Sequence, residues 1–357
     1  MKWMIYGANG YTGRLIAQEA QRRGLSPVLA GRGEAVAALA QQLGLAHRRF
    51  DLGDPAGVRA GLDGIGLVLH CAGPFSATAA PMLEGCLAAG AHYLDITGEI
   101  DVFAHCHAQD ARARERGVVV LPGAGFDVVP TDCVAALLKA DLPSATHLVL
   151  AFEAGGGPSP GTALTSIEGL GKGGRVRIDG QLRRVPLAWK TRSFVRDGLP
   201  RSAMTIPWGD VYTAQVSTGI GNIEVYMAAA PATIARARRL RRLGPLLGTA
   251  PLQWLLKRGI ARSVRGPSDD KRAATVTHVW GEASTHARDG HGDDAIAACV
   301  KRHLVVPNGY TFTADASLGI VEHLLRGTDA AGYRTPSQMM GAHYVLSLPG
   351  VTAVAEK

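Results

Sequence analysis

The sequence has few cysteines and no arrangement that would pair them. The five cysteines are an odd number, and none of them belongs to a C-x-x-C pair. The odd number argues against a disulfide framework, and the missing C-x-x-C pair argues against a zinc ribbon. Unpaired thiols are typical of a reducing compartment, and we expect a cytoplasmic protein. The cysteines are Cys71, Cys86, Cys106, Cys133 and Cys299.

Long apolar runs are also missing. Hydrophobic residues make up 46% of the 357 residues, yet no run approaches the length that crosses a bilayer. The first predicted strand begins at Trp3, which leaves no room for a signal or transit peptide. We therefore expect a soluble globular protein, and its length favours a cofactor domain followed by a second domain.

Signatures of metal and hydrolytic chemistry are weak. His105, Cys106 and His107 are consecutive on a predicted helix, where successive side chains diverge by about 100° and cannot share one metal ion. Cys299 and His303 lie in a run predicted as a strand, so we expect no metal site there either. Nucleophilic hydrolysis is not expected. No tyrosine has a lysine four residues later, which excludes the Y-x-x-x-K pair of the short-chain dehydrogenases.

Glycines are abundant, and three of them form a turn near the start of the chain. Gly7, Gly10 and Gly13 follow the apolar run Trp3 to Tyr6 and open a helical pattern that continues to Ala20. The first glycine permits a sharp turn, the second a close approach to a pyrophosphate, and the third close packing of helix on strand. Phosphates would lie at the helix N-terminus. Because the spacing is G-x-x-G-x-x-G, a purely structural turn remains an alternative.

The residue after the second predicted strand indicates which dinucleotide would bind. This strand, Pro27 to Ala30, is followed by Gly31 and Arg32. A site for NAD usually has an acidic residue here for the ribose 2′-hydroxyl, whereas an arginine suits a 2′-phosphate. We therefore predict NADP(H) rather than NAD(H). The alternative is that Arg32 is a solvated residue at a helix start.

Short apolar runs alternate with helical patterns as far as Leu121. This rhythm predicts an α/β fold with an N-terminal Rossmann-type parallel sheet, because parallel neighbours need crossover connections. Ligands of such sheets bind at the carboxyl ends of the strands. The predicted strands are Trp3 to Tyr6, Pro27 to Ala30, Arg48 to Leu52, Leu67 to Cys71, His92 to Ile96 and Val118 to Leu121.

Beyond Asp132 the alternation stops, and scattered strand patterns predict a second α+β domain with a mixed or antiparallel sheet. We place the NADP-binding domain at 1–122, a substrate and dimerisation domain at 123–330, and a C-terminal helix that returns to the first domain at 331–357. The predicted strands of the second domain are Thr146 to Phe152, Arg175 to Ile178, Ala214 to Thr218, Asn222 to Ala229, Ala273 to Ala283 and Asp294 to Leu304.

Three further segments surround or follow the ends of predicted strands: Cys71 to Phe75, Tyr93 to Glu99 and Gly123 to Asp132. With the glycine turn, and with Gly332 to Pro336 near the end, they resemble the saccharopine dehydrogenase-like oxidoreductases, including the trans-acting enoyl reductase branch. The resemblance covers most of the chain and is sharpest before Asp132. It implies that the cofactor contacts Gly7, Asn9, Gly10, Tyr11, Thr12, Gly13, Arg32, Cys71, Ala72, Gly73, Pro74 and Phe75.

The same resemblance implies a function. Thr97, Glu99 and Phe126 would border the substrate, and Asp127 would be a proton donor or an acceptor for a substrate amine. The alternative for Asp127 is a cap on the helix that begins near Pro130. The implied activity is NADP(H)-dependent hydride transfer, by a homodimer, to a C=N or C=C bond of a small or carrier- or CoA-linked substrate. A catalytically silent NADP-binding sensor or membrane-associated scaffold is the other hypothesis.

The chain carries a formal net charge of +8, and much of the excess lies in one amphipathic stretch that is interrupted near Pro245. Three interpretations are open: a solvated helix face, a docking surface for an acidic carrier protein or an anionic membrane, and a nucleic-acid site. Since no nucleic-acid motif accompanies the arginines, we expect no nucleic-acid partner. Peripheral membrane contact stays open. The basic residues are Arg236, Arg238, Arg239, Arg241, Arg242, Lys257, Arg258, Arg262 and Arg265.

Overall fold

The computed structural model describes residues 1–241, 247–286 and 298–354. The chain forms two compact units. The first comprises Met1–Val129 and Tyr310–Gly341, and the second Pro130–Gly309 and Ala342–Lys357. Compared with the predicted boundaries, the first unit extends beyond residue 122 and includes residues 310–341.

A seven-stranded sheet forms the centre of the first unit, and every pair of neighbouring strands in it is parallel. From one edge of this sheet to the other, the strands lie in the order β15-β6-β5-β4-β1-β2-β3. Most of these strands are buried on both faces, which is why they are continuous apolar runs in the sequence. The strands are β1 (Trp3–Tyr6), β2 (Val28–Gly31), β3 (His47–Arg49), β4 (Leu67–His70), β5 (His92–Asp95), β6 (Val119–Leu121) and β15 (Gly332–Tyr333).

Helices connect these strands in the alternation that parallel pairing requires. The predicted helix that carries His105 to His107 ends at His107, and a second helix begins at Asp110. The helices of the first unit, numbered in chain order, are α1 (Tyr11–Arg22), α2 (Ala35–Leu43), α3 (Pro55–Leu62), α4 (Phe75–Ala89), α5 (Ile100–His107), α6 (Asp110–Glu115), α13 (Gly309–Leu325) and α14 (Pro336–Met340).

The strand order reverses direction next to β1. From β1 the chain adds β2 and β3 on one side, whereas β4, β5 and β6 follow on the other. In open parallel sheets the ligand binds at the carboxyl ends of the strands on either side of such a reversal. A ligand is therefore expected beside the segments that follow β1, β4, β5 and β6.

The second unit is built on a nine-stranded mixed sheet, in agreement with the predicted fold class. The pair β12 and β7 is parallel, and the other pairs are antiparallel. Its strands are β7 (His147–Ala154), β8 (Gly174–Ile178), β9 (Gln181–Val185), β10 (Thr191–Arg196), β11 (Leu199–Thr205), β12 (Asn222–Ala228), β13 (Val276–Ser284), β14 (Cys299–Pro307) and β16 (Thr352–Val354).

One predicted strand of the second unit, Ala214 to Thr218, is wrong. These residues belong to a helix in which Asp210, Val211, Ala214 and Thr218 are buried. Their spacing is helical, but the β-branched residues of the segment favoured the prediction of a strand. The helices of this unit are α7 (Val129–Asp141), α8 (Pro160–Leu170), α9 (Asp210–Thr218), α10 (Pro231–Leu240), α11 (Ala250–Ser263), α12 (Asp269–Ala273) and α15 (Tyr344–Ser347).

Some predictions fall outside the residues that the structure describes. They are the helix break near Pro245, the side-chain positions of Arg242 and Arg262, and the first four residues of the predicted strand Asp294 to Leu304. Across residues 1–241, 247–286 and 298–354, the helices are too short or too polar to cross a membrane.

Candidate functional site

The glycine turn after β1 is held by close backbone contacts. Gly7 has a φ of +82°, and its N–H donates to the carbonyl of Ala30 at 2.7 Å. A Cβ on Gly7 would lie 2.7 Å from the backbone nitrogen of Ala72. Glycine is therefore required both by the left-handed backbone and by the loop after β4, which presses against the turn.

The other two glycines bring α1 against this turn. A Cβ on Gly13 would lie 2.3 Å from the carbonyl oxygen of Gly7, so only glycine permits this packing. Gly10 precedes α1 in extended conformation and provides no side-chain cap for the helix. The N–H groups of the first turn of a helix attract anions, and here no side chain of Gly10 competes for them.

Predicted cofactor residues lie on both sides of this turn. A Cβ on Gly31 would be 3.0 Å from the side-chain oxygen of Asn9. Arg32 is exposed and forms no hydrogen bond or ion pair with the described residues. Tyr11 and Thr12 occupy the first turn of α1, where the Tyr11 ring packs edge-on against Tyr310 with centroids 4.9 Å apart.

The loop after β4 is fixed by a buried histidine. The Thr78 hydroxyl donates to the carbonyl of Ala72 at 2.6 Å and lies 3.0 Å from Nε2 of His70. Burial lowers the pKa of His70 to about 3, so the ring is neutral and its Nε2–H can donate to Thr78. This pair fixes residues 71–74, including the cis peptide between Gly73 and Pro74.

Cys71 is also in this loop, and burial raises the pKa of its thiol. A protonated thiol is a poor nucleophile and a poor metal ligand. The side chain therefore has a packing role beside the predicted cofactor contact. Across the described residues, no three His, Cys, Asp or Glu side chains are grouped to hold a metal ion.

Glu99 caps the start of α4. Its two carboxylate oxygens accept hydrogen bonds from the backbone N–H groups of Phe75 and Ser76, each at 2.9 Å. Anions are favoured at helix N-termini, so this contact stabilises the start of α4. Thr97, fully buried, accepts a hydrogen bond from the Glu99 N–H at 3.1 Å. Both side chains, predicted to border the substrate, are bonded to backbone.

Asp95, at the end of β5, is a carboxylate with several hydrogen-bond donors around it. Oδ1 accepts from the N–H groups of Thr97 and Gly123, each at 2.9 Å, and Oδ2 accepts from the Tyr93 hydroxyl at 2.7 Å. Burial raises its pKa to about 6, although these donors oppose the shift. Asp95 joins the loops after β5 and β6 and is a structural residue that was not among the predicted site residues.

Asp127 contrasts with Asp95. Its carboxylate accepts no hydrogen bond from the described residues, so the predicted alternative of a helix cap is wrong. It lies against Gly98, since a Cβ on Gly98 would be 2.8 Å from Oδ2 of Asp127. Burial, and then the negative charge of Glu99, raise the pKa of Asp127 to about 7. At neutral pH this carboxyl group is therefore part protonated and part ionised.

Residues from far along the chain support the segment that carries Asp127. The N–H of Phe126 donates to the hydroxyl of Thr313 at 3.0 Å, and the Phe126 ring packs edge-on against Phe312. Phe126 is itself buried. Nothing in the local sequence links Thr313 to Phe126, and only three-dimensional structure identifies the start of α13 as part of this site.

The segments after β1, β4, β5 and β6 form one continuous edge of the sheet, which we call the rim: residues 7–13, 71–75, 95–99 and 123–127. Gly7 touches Ala72, Phe75 bonds to Glu99, and Gly98 touches Asp127. The rim thus brings together the predicted phosphate-binding turn and the predicted acid. Arg32 lies after β2, on the other side of β1.

The second unit contains one match to the G-x-S-x-G pattern of serine hydrolases, residues 157–161. Ser159 is the N-cap residue directly before α8. It accepts a hydrogen bond from the N–H of Thr162 at 3.2 Å and has an extended backbone with φ −74°. A nucleophile elbow would hold this serine on a strained turn with its hydroxyl exposed. Ser159 is 4% exposed and acts as a helix cap, so hydrolysis gains no support.

Comparison with protein families identifies the N-terminal part of the chain. The model of the saccharopine dehydrogenase NADP binding domain matches residues 3–121. The resemblance drawn from the motifs is thereby confirmed, and it supports an oxidoreductase that binds a nicotinamide dinucleotide.

Curated relatives match part of the chain. A saccharopine dehydrogenase-like oxidoreductase of Arabidopsis thaliana is 32% identical over 36% of this chain and 32% of its own length. A Mycobacterium tuberculosis protein named as a trans-acting enoyl reductase is 32% identical over 47% of this chain and 43% of its own length. The matched segments thus span less than half of these relatives.

A solved structure extends the similarity to the whole fold. The apo saccharopine dehydrogenase (L-Glu forming) of Saccharomyces cerevisiae aligns with a TM-score of 0.66 over 99% of this chain and 100% of that one, at 10% identity. This likeness confirms the fold class, a Rossmann-like parallel-sheet domain and a second domain with a mixed sheet.

Proposed function

We propose that the protein is an NADP(H)-dependent reductase that acts on a C=N or C=C bond, with Asp127 as the proton donor. The observation that carries this proposal is the state of Asp127. It is a partly buried carboxyl on the rim, it has a pKa of about 7, and its oxygens are not occupied by hydrogen bonds from the described residues. Structural carboxylates are normally bonded, as Asp95 is.

The residues of the glycine turn fit a dinucleotide. Gly7 and Gly13 allow α1 to pack closely on the end of β1. Gly10, which has no side chain, precedes the N-terminus of α1, where a pyrophosphate would lie. The exposed guanidinium of Arg32 is available for a 2′-phosphate. When bound, the nicotinamide would supply the hydride.

Asp127 would complete the reduction with a proton. A carboxyl group whose pKa is near the working pH can both give up and regain a proton, which is the requirement for a general acid. With an imine, the proton would go to nitrogen as hydride adds to carbon. With an enoyl thioester, hydride would add to the β-carbon and the proton to the α-carbon. In either case the Asp127 carboxylate would be reprotonated from water.

Two substrate classes are supported by different observations. The name of the Mycobacterium tuberculosis relative and the basic excess of this chain favour an enoyl group on an acidic carrier or on CoA. The names that refer to saccharopine dehydrogenase favour a C=N bond. The two classes share the same requirement for hydride at one atom and a proton at its neighbour.

The deciding experiment is NADPH oxidation by the purified chain after cofactor binding has been measured by titration. One panel contains enoyl thioesters of CoA and of acyl carrier protein, and the other contains 2-oxo acids or aldehydes paired with amines. Turnover in one panel assigns the bond that is reduced. Tight NADPH binding without turnover in either panel would contradict the reductase proposal and favour a silent NADP-binding sensor.

Cofactor preference is tested by Arg32→Ala. Loss of one cation that contacts a phosphate should weaken NADPH binding by about tenfold to a hundredfold, with little effect on NADH. The measurement is fluorescence titration with both cofactors. The matched control is Arg59→Ala, an exposed arginine on α3. Equal loss of affinity for NADPH and NADH, or an equal effect of the control, would exclude a 2′-phosphate contact.

A further inference from the structure

Residues 225–268 of the second unit form a segment without any acidic residue. This segment contains nine lysines and arginines, so it carries a net charge of +9. The whole chain carries +8, and the remainder therefore has a net charge of −1, the difference between the two values. Charge of one sign is concentrated here, in α10 and α11.

The basic side chains of α10 face solvent. Ile234 and Ala237 are the buried residues of this helix, whereas Arg236, Arg239 and the following Arg241 are exposed. None of these three arginines forms an ion pair with a described residue. Their charge is thus not neutralised within the described chain.

The next helix, α11, presents a large apolar surface to solvent. Trp254 is 60% exposed and its neighbour Leu255 is 59% exposed. The guanidinium of Arg258 lies over the Trp254 ring at 5.2 Å from its centroid. Packing within the unit does not explain why a tryptophan and a leucine beside a cation are exposed. Exposed apolar patches mark interaction surfaces.

The opposite side of α11 is attached to α8. The Gln253 side chain donates to the carbonyls of Ile167 and Leu247, at 2.9 and 2.7 Å, and Lys257 pairs with Glu168 at 2.6 Å. These contacts fix the rotation of the helix. Trp254, Leu255 and Arg258 are consequently held outward.

We propose that α10 and α11 dock the protein on an anionic lipid bilayer surface, with Trp254 and Leu255 inserted among the headgroups. A tryptophan ring is favoured at the membrane interface, since its body is apolar and its N–H is polar. Lysine and arginine near the surface are attracted to anionic lipids. The apolar pair lies on the exposed side of α11, from which it can reach the headgroups. This proposal is independent of the proposed reductase activity.

The test is co-sedimentation of the full chain with vesicles of phosphatidylcholine alone and of phosphatidylcholine mixed with phosphatidylglycerol. We expect binding to the mixed vesicles only. The double variant Trp254→Ala, Leu255→Ala should bind them at least about tenfold more weakly, because the inserted apolar surface is lost. The matched control is Leu199→Ala, which removes a leucine that is 58% exposed on β11.

A second variant separates charge from insertion. Replacing Arg236, Arg239 and Arg241 by glutamine should weaken binding to the mixed vesicles about a hundredfold, since each cation near the surface contributes about tenfold or less. Arg183→Gln with Arg184→Gln, two exposed arginines of β9, should have little effect. Thermal unfolding of every variant, measured in the absence of lipid, shows that each remains folded.

Several outcomes would overturn the proposal. They are equal binding to neutral and anionic vesicles, unchanged binding of the Trp254→Ala, Leu255→Ala variant, and an equal loss in the control variants. Binding to an acidic carrier protein or to nucleic acid, without binding to anionic vesicles, would also overturn it and would assign the basic segment to that partner.

Discussion

The ends of β5 and β6 are adjacent in the sheet, yet their aspartates are in opposite situations. Asp95 accepts three hydrogen bonds, whereas Asp127 accepts none from the described residues. Burial raises the pKa of both, to about 6 for Asp95 and about 7 for Asp127. Desolvation alone therefore does not distinguish the two aspartates. The hydrogen-bond donors around each carboxylate make the distinction.

The largest effect that this comparison predicts is on turnover. Asp127→Asn keeps the shape of the side chain but removes the transferable proton, so kcat with the active substrate should fall about 10²- to 10⁴-fold. NADPH affinity should be nearly unchanged, because Asp127 forms no hydrogen bond with the described residues that would be lost. Stopped-flow or steady-state NADPH oxidation measures the effect. Retained activity in Asp127→Asn would exclude this residue as the acid.

Asp95→Ala should act on stability instead. It removes the acceptor of two backbone N–H groups and of the Tyr93 hydroxyl, and leaving buried donors unpaired costs about 3 to 5 kcal/mol. Urea unfolding of the chain without cofactor gives the free energy of unfolding. Asp95→Asn is the matched control, since its amide oxygen can still accept from Thr97 and Gly123, and it should cost less. Equal stability of Asp95→Ala and wild type would remove the distinction between the two aspartates.

The pH dependence of stability sharpens the same contrast. Asp127 binds its proton more tightly in the folded chain than in the unfolded one, since its pKa rises from 3.8 to about 7. Its contribution is full below about pH 4 and is lost as the pH rises toward 7. Asp127→Asn should therefore become more stable than wild type at pH 8, by about 1 to 2 kcal/mol after allowance for solvent.

Urea unfolding at pH 5 and pH 8 measures this effect. The gain of Asp127→Asn over wild type should be larger at pH 8 than at pH 5. Asp329→Asn, which alters an exposed aspartate, is the control. A constant difference between Asp127→Asn and wild type at both pH values would show that the Asp127 pKa is not raised in the folded chain.

The two units also differ in how far their sequence predicts them. Strands buried on both faces, such as β1 and β4, are apolar runs and were predicted to within one residue. In the second unit, β10 alternates exposed and half-buried residues and includes arginines, and it was not predicted. Local composition is informative where burial is complete and ambiguous where one face of a sheet is polar.

The candidate site shows the same limit. The turn at Gly7 was predictable because a positive φ and a close approach both require glycine. The role of Glu99 was not predictable, since its partners Phe75 and Ser76 are more than 20 residues away in sequence. Sequence patterns identify residue types that can perform the chemistry. The fold decides which of these residues already form hydrogen bonds with the backbone.

The smallest predicted effect tests whether the two loops are electrostatically coupled. Glu99 is the second cause, after burial, of the raised pKa of Asp127. Glu99→Gln removes this negative charge, so the pKa of Asp127 should fall by about one unit or less. Since the protonated acid is the active form, the loss of kcat at rising pH should begin at a lower pH.

Glu99→Gln also loses one of the two acceptors at the start of α4, and a stability cost of about 1 kcal/mol is expected. That cost alone would not move the pH profile, whereas the loss of charge would. Glu84→Gln, which alters an exposed carboxylate paired with Arg112, is the control and should leave the profile in place. An unchanged pH profile in Glu99→Gln, with the stability loss present, would show that Glu99 only stabilises the helix. Burial would then be the sole cause of the raised pKa of Asp127.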